Sequence, residues 1–204
     1  MLVIQEIFGV NAAMRQICDY YASLGYIAVC PDLFWRQQPG IQLTDKTPAE
    51  WDRAMELFKA FDVEAGVRDL LSTLAHIRSI KGASGKVGTV GYCLGGKLVW
   101  LMAARSDVDA SVSYYGVGLD QMLDEVHDIR MPVILHIAGL DSYCPPPIRE
   151  KITTAIARNH LIKAYVYENA DHAFARPNGK NYNQEAAELA NERTKAFFGE
   201  HLKS

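Results

Sequence analysis

The chain has 204 residues, enough for one sizeable hydrophobic core and short for two. With 49% hydrophobic and 22% charged residues it is composed as a folded globular chain, which excludes intrinsic disorder. A formal net charge of -3 gives no electrostatic reason to expect nucleic acid or an anionic membrane as a partner.

The start, Met1-Leu2-Val3-Ile4-Gln5-Glu6, has no basic region and too short an apolar run for a signal peptide. A strand is expected at 2–5, then a helix at 11–24 with Asn11 as cap and Gly25 as stop. A strand at 26–30 leads into residues 31–47, the longest irregular stretch, and loops at strand carboxyl ends are where α/β proteins usually meet ligands. Thr47-Pro48-Ala49-Glu50 opens a helix at 48–60: Thr47 can cap, Pro48 suits the first helical position and Glu50 can close the capping box. A helix at 62–81, a strand at 86–92, a helix at 94–105 and strands at 110–115 and 132–138 follow. The remaining elements are a helix at 147–159, a strand at 163–167 and a helix at 183–203.

Short β-branched runs alternating with longer helical patterns indicate one α/β domain over 1–204, a mostly parallel twisted sheet with helices on both faces. No repeat or linker divides it, and no apolar run approaches a membrane span. The four cysteines, Cys18, Cys30, Cys93 and Cys144, lie far apart with no CxxC, so reduced thiols in a cytoplasmic setting are expected.

Gly91-Tyr92-Cys93-Leu94-Gly95 has the G-x-nucleophile-x-G form of a nucleophile elbow, with cysteine where serine is commoner. It follows an apolar strand and opens an apolar helix, whose N-terminus favours a thiolate and an oxyanion. The bland alternative is a buried cysteine acting as a small hydrophobe. Two later loops supply partners in the required chain order: Asp141 after the strand at 132–138, and His172 after the strand at 163–167. The competing acids are Asp171 and Glu168, and the competing histidine is His136, whose place inside a strand suits a structural role. No His/Cys/Asp cluster has zinc-ligand spacing, so no metal and no cofactor is expected.

With these residues in place, the sequence resembles the dienelactone hydrolase family (carboxymethylenebutenolidases), small cytoplasmic α/β-hydrolases with a cysteine triad. The blocks that carry the resemblance are Gln5-Glu6-Ile7-Phe8-Gly9-Val10-Asn11, Val29-Cys30-Pro31-Asp32-Leu33, Gly91-Tyr92-Cys93-Leu94-Gly95-Gly96, Tyr114-Tyr115-Gly116-Val117-Gly118 and His172-Ala173-Phe174-Ala175-Arg176. The resemblance implies an α/β-hydrolase fold, with Cys93 as nucleophile, Asp141 as acid and His172 as base. It further implies that Glu6 contacts the resting thiol and takes part in its activation. The N–H groups of Ile7 and Leu94 would form the oxyanion hole, Arg176 would bind a substrate carboxylate, and Tyr115 would stand among the substrate-binding residues.

Three departures stand out. The family's second carboxylate-binding arginine is replaced by Trp51, leaving Arg53 or Arg36 to turn inward in its stead, and a pocket tyrosine aligns with Met55. Relatives also carry roughly 30 residues more at the start, as antiparallel strands set against the parallel core. The sheet is therefore expected to lack those strands and to show an open edge at 26–30, through which an otherwise monomeric protein could associate. The expected activity is hydrolysis of a small ester or lactone, with some preference for an anionic one, through a thioester acyl-enzyme. A promiscuous carboxylesterase, thioesterase or phosphoester hydrolase of the same fold, a catalytically silent small-molecule-binding protein and a thiol-redox protein are the rivals.

Overall fold

The computed structural model describes residues 1–203. Its frame is a five-stranded, wholly parallel sheet: β1 (Leu2–Ile4), β2 (Gly88–Tyr92), β3 (Ala110–Tyr114), β4 (Val133–Ala138) and β5 (Ile162–Tyr167), side by side in chain order. Every residue of β1 to β4 is buried, as a sheet covered on both faces requires. The helices are α1 (Ala12–Ser23), α2 (Pro48–Lys59), α3 (Val63–Ser79), α4 (Leu94–Arg105), α5 (Pro146–Ile156) and α6 (Gln184–Leu202).

Local chemistry sets most of these boundaries. Asn11, Thr47, Asp62 and Asn183 each accept a backbone N–H of the first turn of α1, α2, α3 and α6, the capping that short polar side chains provide. Residues of β2 point alternately to two faces: Gly91 meets α4, while Gly88 lies against Phe198 and Leu202 of α6. Helix α4 is sandwiched between the sheet, α3 and a short 3-10 turn at Leu123–His127, which explains its nearly continuous apolar sequence.

The expected strand at 26–30 is reduced to a single parallel bridge between Leu2 and Val29. The Val29 N–H donates to Met1 O at 2.9 Å and Val29 O accepts from the Val3 N–H at 2.8 Å, but the next donor in register would be Pro31, which has none. The segment still lies outside β1, so β1 is where the chain reverses its direction of winding: first outward to Val29, then back across to β2. In an open α/β sheet the crevice at such a point, outside the strand carboxyl ends, is the ordinary ligand site.

Candidate active site

Cys93 is the residue between β2 and α4. It holds φ 56° and ψ -112°, a left-handed conformation that is costly for a residue with a Cβ, on the order of 1–3 kcal/mol. The turn is possible because its flanks are glycine: a Cβ on Gly91 would lie 2.2 Å from Gly95 O, and one on Gly95 would lie 2.2 Å from Ile4 O. The backbone is pinned by Cys93 N–H to Tyr114 O at 3.0 Å and by Lys97 N–H to Cys93 O at 3.1 Å. The side chain is buried at the helix N-terminus, where no side-chain cap competes for the first N–H groups.

His172 lies in the loop after β5 and Asp141 in the loop after β4. Their side chains meet at 2.7 Å, Nδ1 to Oδ2, with Asp141 3% exposed. The Tyr143 N–H holds the other Asp141 oxygen at 2.8 Å, and Asn181 Nδ2 donates to His172 O at 3.0 Å, so both partners are fixed from outside the pair. Burial works against a charged imidazole here, but Asp141 and Cys93 outweigh it and raise its pKa from 6.5 to about 10. His172 Nε2 is buried with no hydrogen bond of ordinary geometry, although Cys93 is near enough to contribute to that shift. A buried polar atom left open beside a cysteine calls for a functional account.

Glu6 follows β1. It is 3% exposed and is bound by Arg176, Nε to Oε2 at 2.5 Å and Nη2 to Oε1 at 3.2 Å. The carboxylate thus accepts from the guanidinium rather than from the Cys93 thiol. Arg176 Nη1 donates to Asp45 at 2.6 Å, and its plane lies over the Phe8 ring. Neither a solvated loop arginine nor a free carboxylate receptor describes it: the residue is 8% exposed and its guanidinium is already ion-paired. Asp45, which carries no sequence signal of its own, completes the cluster. Gln5, also buried, braces the loop by accepting the Leu33 N–H and donating to Glu6 O.

The N–H groups of Ile7 and Leu94 donate to no acceptor among the described residues. Tyr115 is buried with φ 38°, its ring centroid 5.2 Å from that of His172 and its hydroxyl without a hydrogen-bond partner among the described residues. A cavity of about 500 Å³ opens onto His172, Arg176, Asp45, Trp51, Tyr143 and Lys180. Trp51 is a partly exposed wall, packed at 5.9 Å on Phe8.

Two expected contributors are not brought there. Arg36 is tied to Asp69 on the surface and lies over Trp35, while Arg53 bonds Glu56 at 2.9 Å and Gln38 at 2.8 Å. Nearby surface acceptors captured both, so neither replaces the arginine absent at Trp51. His136 is buried between Thr194 Oγ1 at 2.9 Å and the Tyr167 hydroxyl at 2.8 Å, and burial lowers its pKa to about 3. It is held as a neutral structural group. No cluster of three metal-ligating side chains occurs among the described residues, and no helix among them is long and apolar enough to cross a membrane.

Residues 1–202 match the family model described as the dienelactone hydrolase family. The chain belongs to the dienelactone hydrolase family. A protein of Azospirillum brasilense is 49% identical over 99% of this chain and 87% of its own length. The carboxymethylenebutenolidase of Pseudomonas putida is 45% identical over 97% of this chain and 84% of its own. A crystal structure from Klebsiella pneumoniae superposes with a TM-score of 0.84 at 28% identity, covering 97% of this chain and 85% of that one. The family is one of α/β-hydrolase fold, and the chain is accordingly a hydrolase acting on lactones or esters. Within that dienelactone hydrolase frame, the elbow, the His172–Asp141 pair and the Glu6–Arg176–Asp45 cluster all lie at the carboxyl ends of parallel strands.

Proposed function

We propose that the chain hydrolyses small esters or lactones by covalent catalysis at Cys93, with His172 and Asp141 as its partners and a thioester acyl-enzyme as intermediate. The observation that carries this reading is the buried His172, joined to Asp141 at 2.7 Å and raised to a pKa of about 10 with Cys93 among the causes. An imidazolium maintained through neutral pH is the counterion that a thiolate needs, and the thiolate is the attacking species.

The Cys93 thiolate, whose proton rests on His172 Nε2, attacks the carbonyl carbon, and the oxyanion that forms accepts from the Ile7 and Leu94 N–H groups, each such donor contributing about 2.7–4 kcal/mol. Collapse breaks the carbon–oxygen bond, and the departing alkoxide takes a proton from His172 Nε2. The neutral imidazole then removes a proton from water as that water attacks the thioester. The thiolate leaves, His172 is again protonated and the acid is released. Asp141 keeps Nε2 turned toward the reaction and stabilises the imidazolium. Glu6, in the charge cluster beside the elbow, tunes the resting thiol.

The test is a set of single-cysteine replacements assayed with p-nitrophenyl acetate. Cys93→Ala should remove nearly all hydrolysis with circular dichroism unchanged, while Cys18→Ala, Cys30→Ala and Cys144→Ala keep it. Loss of turnover in any of the latter three, with normal folding, would move the nucleophile elsewhere. Glu6→Gln should change the rate at which iodoacetamide alkylates Cys93 and impair turnover; unchanged alkylation and kinetics would return Glu6 to a purely structural role.

A further inference from the structure

We propose that Asp45 is a specificity-determining residue: an internal carboxylate that occupies the pocket side of Arg176 and turns the site toward uncharged esters and lactones. The proposal rests on the catalytic reading above. Arg176 is a buried guanidinium bordering the cavity, and all three of its nitrogens donate to carboxylates. An anionic substrate seeking this guanidinium must therefore displace either Glu6 or Asp45.

Geometry selects Asp45. Glu6 is gripped through two Arg176 nitrogens and does not border the cavity. Asp45 is gripped through one, stands in the cavity wall and belongs to the irregular loop before α2. Its second anchor is the backbone N–H of Lys180, at 2.9 Å on the same oxygen. Burial alone would favour its neutral form, yet the Lys180 N–H and the Arg176 charge prevail and hold its pKa below the usual carboxylate range. Asp45 thus sets a carboxylate of the chain's own at the place a substrate anion would take. Two carboxylates on one guanidinium leave the buried trio with a net charge of about -1, so a third anion is repelled as well as unpaired.

Trp51 presents apolar surface to the same cavity, and the surface arginines at 36 and 53 are engaged elsewhere. Lys46 and Lys180 border the cavity but are exposed, where screening weakens a single ammonium.

Asp45→Asn is the discriminating variant, because an amide oxygen still accepts the Lys180 N–H and keeps the loop anchored while the charge is removed. The readouts are the ratio of kcat/KM for mono-p-nitrophenyl glutarate over its methyl ester, and the Kd of monomethyl glutarate by calorimetry. The expected result is a rise of at least about ten-fold in the anionic-to-neutral ratio, as one charge-assisted hydrogen bond can supply, and a Kd tightened by a similar factor. Adding Arg176→Gln to Asp45→Asn should abolish both gains. A ratio and a Kd that stay within two-fold of the wild type would overturn the proposal, because a merely structural Asp45 moves neither. If the wild type fails to turn over the neutral ester at all, the catalytic reading falls, and the binding measurement still decides the role of Asp45.

Discussion

In the proposed mechanism the chemistry and the pH response both turn on His172. Its folded pKa of about 10 stands above the ordinary 6.5, so its contribution to stability is fully present below about 6.5 and is lost as pH rises toward and through 10. Replacing it with glutamine should therefore destabilise the fold at pH 6, and the gap between variant and wild type in urea unfolding should narrow by pH 10. A gap that widens with pH would contradict the raised value. By nuclear magnetic resonance the imidazole should titrate near 10, and both Asp141→Asn and Cys93→Ala should bring the midpoint down, since each removes a group that holds the proton. Asp141→Asn should also lower kcat/KM by roughly two to four orders of magnitude, the scale for an imidazole that has lost its orienting acid. At this scale the sequence was informative where residues stand in a recognisable order: an elbow, then an acid and a histidine, each after a later strand. Asp45 left no such trace. A lone acid in Thr44-Asp45-Lys46 has no period or motif, and its partner Arg176 lies 131 positions away. The failure at Arg36 and Arg53 has the same origin, because which surface carboxylate captures an arginine is decided by loop geometry.

Among the elements, the strand–elbow–helix unit depends on backbone approach more than on any side chain. Gly95→Ala would drive a methyl into Ile4 O, a backbone atom of β1 that cannot swing away, so α4 must shift. The expected loss is about 1–3 kcal/mol or more in chemical denaturation, with turnover falling too because the elbow moves. A variant as stable and active as the wild type would show that α4 has slack. The segment around Val29 is the element where sequence reading overreached, although Pro31 was visible and forbids the next ladder bond. Val29 directs its own groups to β1, which turns those of Ala28 and Cys30 outward, and Ile27 beside them is 39% exposed. Such an edge favours self-association, which sedimentation equilibrium should detect as a rise in mass with concentration. Ile27→Lys should suppress that rise; an unchanged mass profile would place any association on another surface.

Across the whole molecule, five parallel strands bring to one rim groups that are distant in sequence: Glu6, Cys93, Asp141 and His172. The fold class was legible because strand and helix periods alternate cleanly, and the family because its blocks stand at the strand ends where ligands are met. What the sequence could not convey is the state of charge at that rim, since it arises from side chains converging on Arg176 from two other loops. In the proposed mechanism hydrolysis passes through a thioester on Cys93, a species that an acid quench can trap. The protein mixed with p-nitrophenyl acetate and quenched in acid during the first turnover should carry one acetyl group per chain. Peptide mass spectrometry should place it on Cys93, and hydroxylamine at neutral pH should remove it. Stoichiometric p-nitrophenol release with Cys93 unmodified, or with the acetyl group on another residue while Cys93→Ala still turns over, would contradict the account.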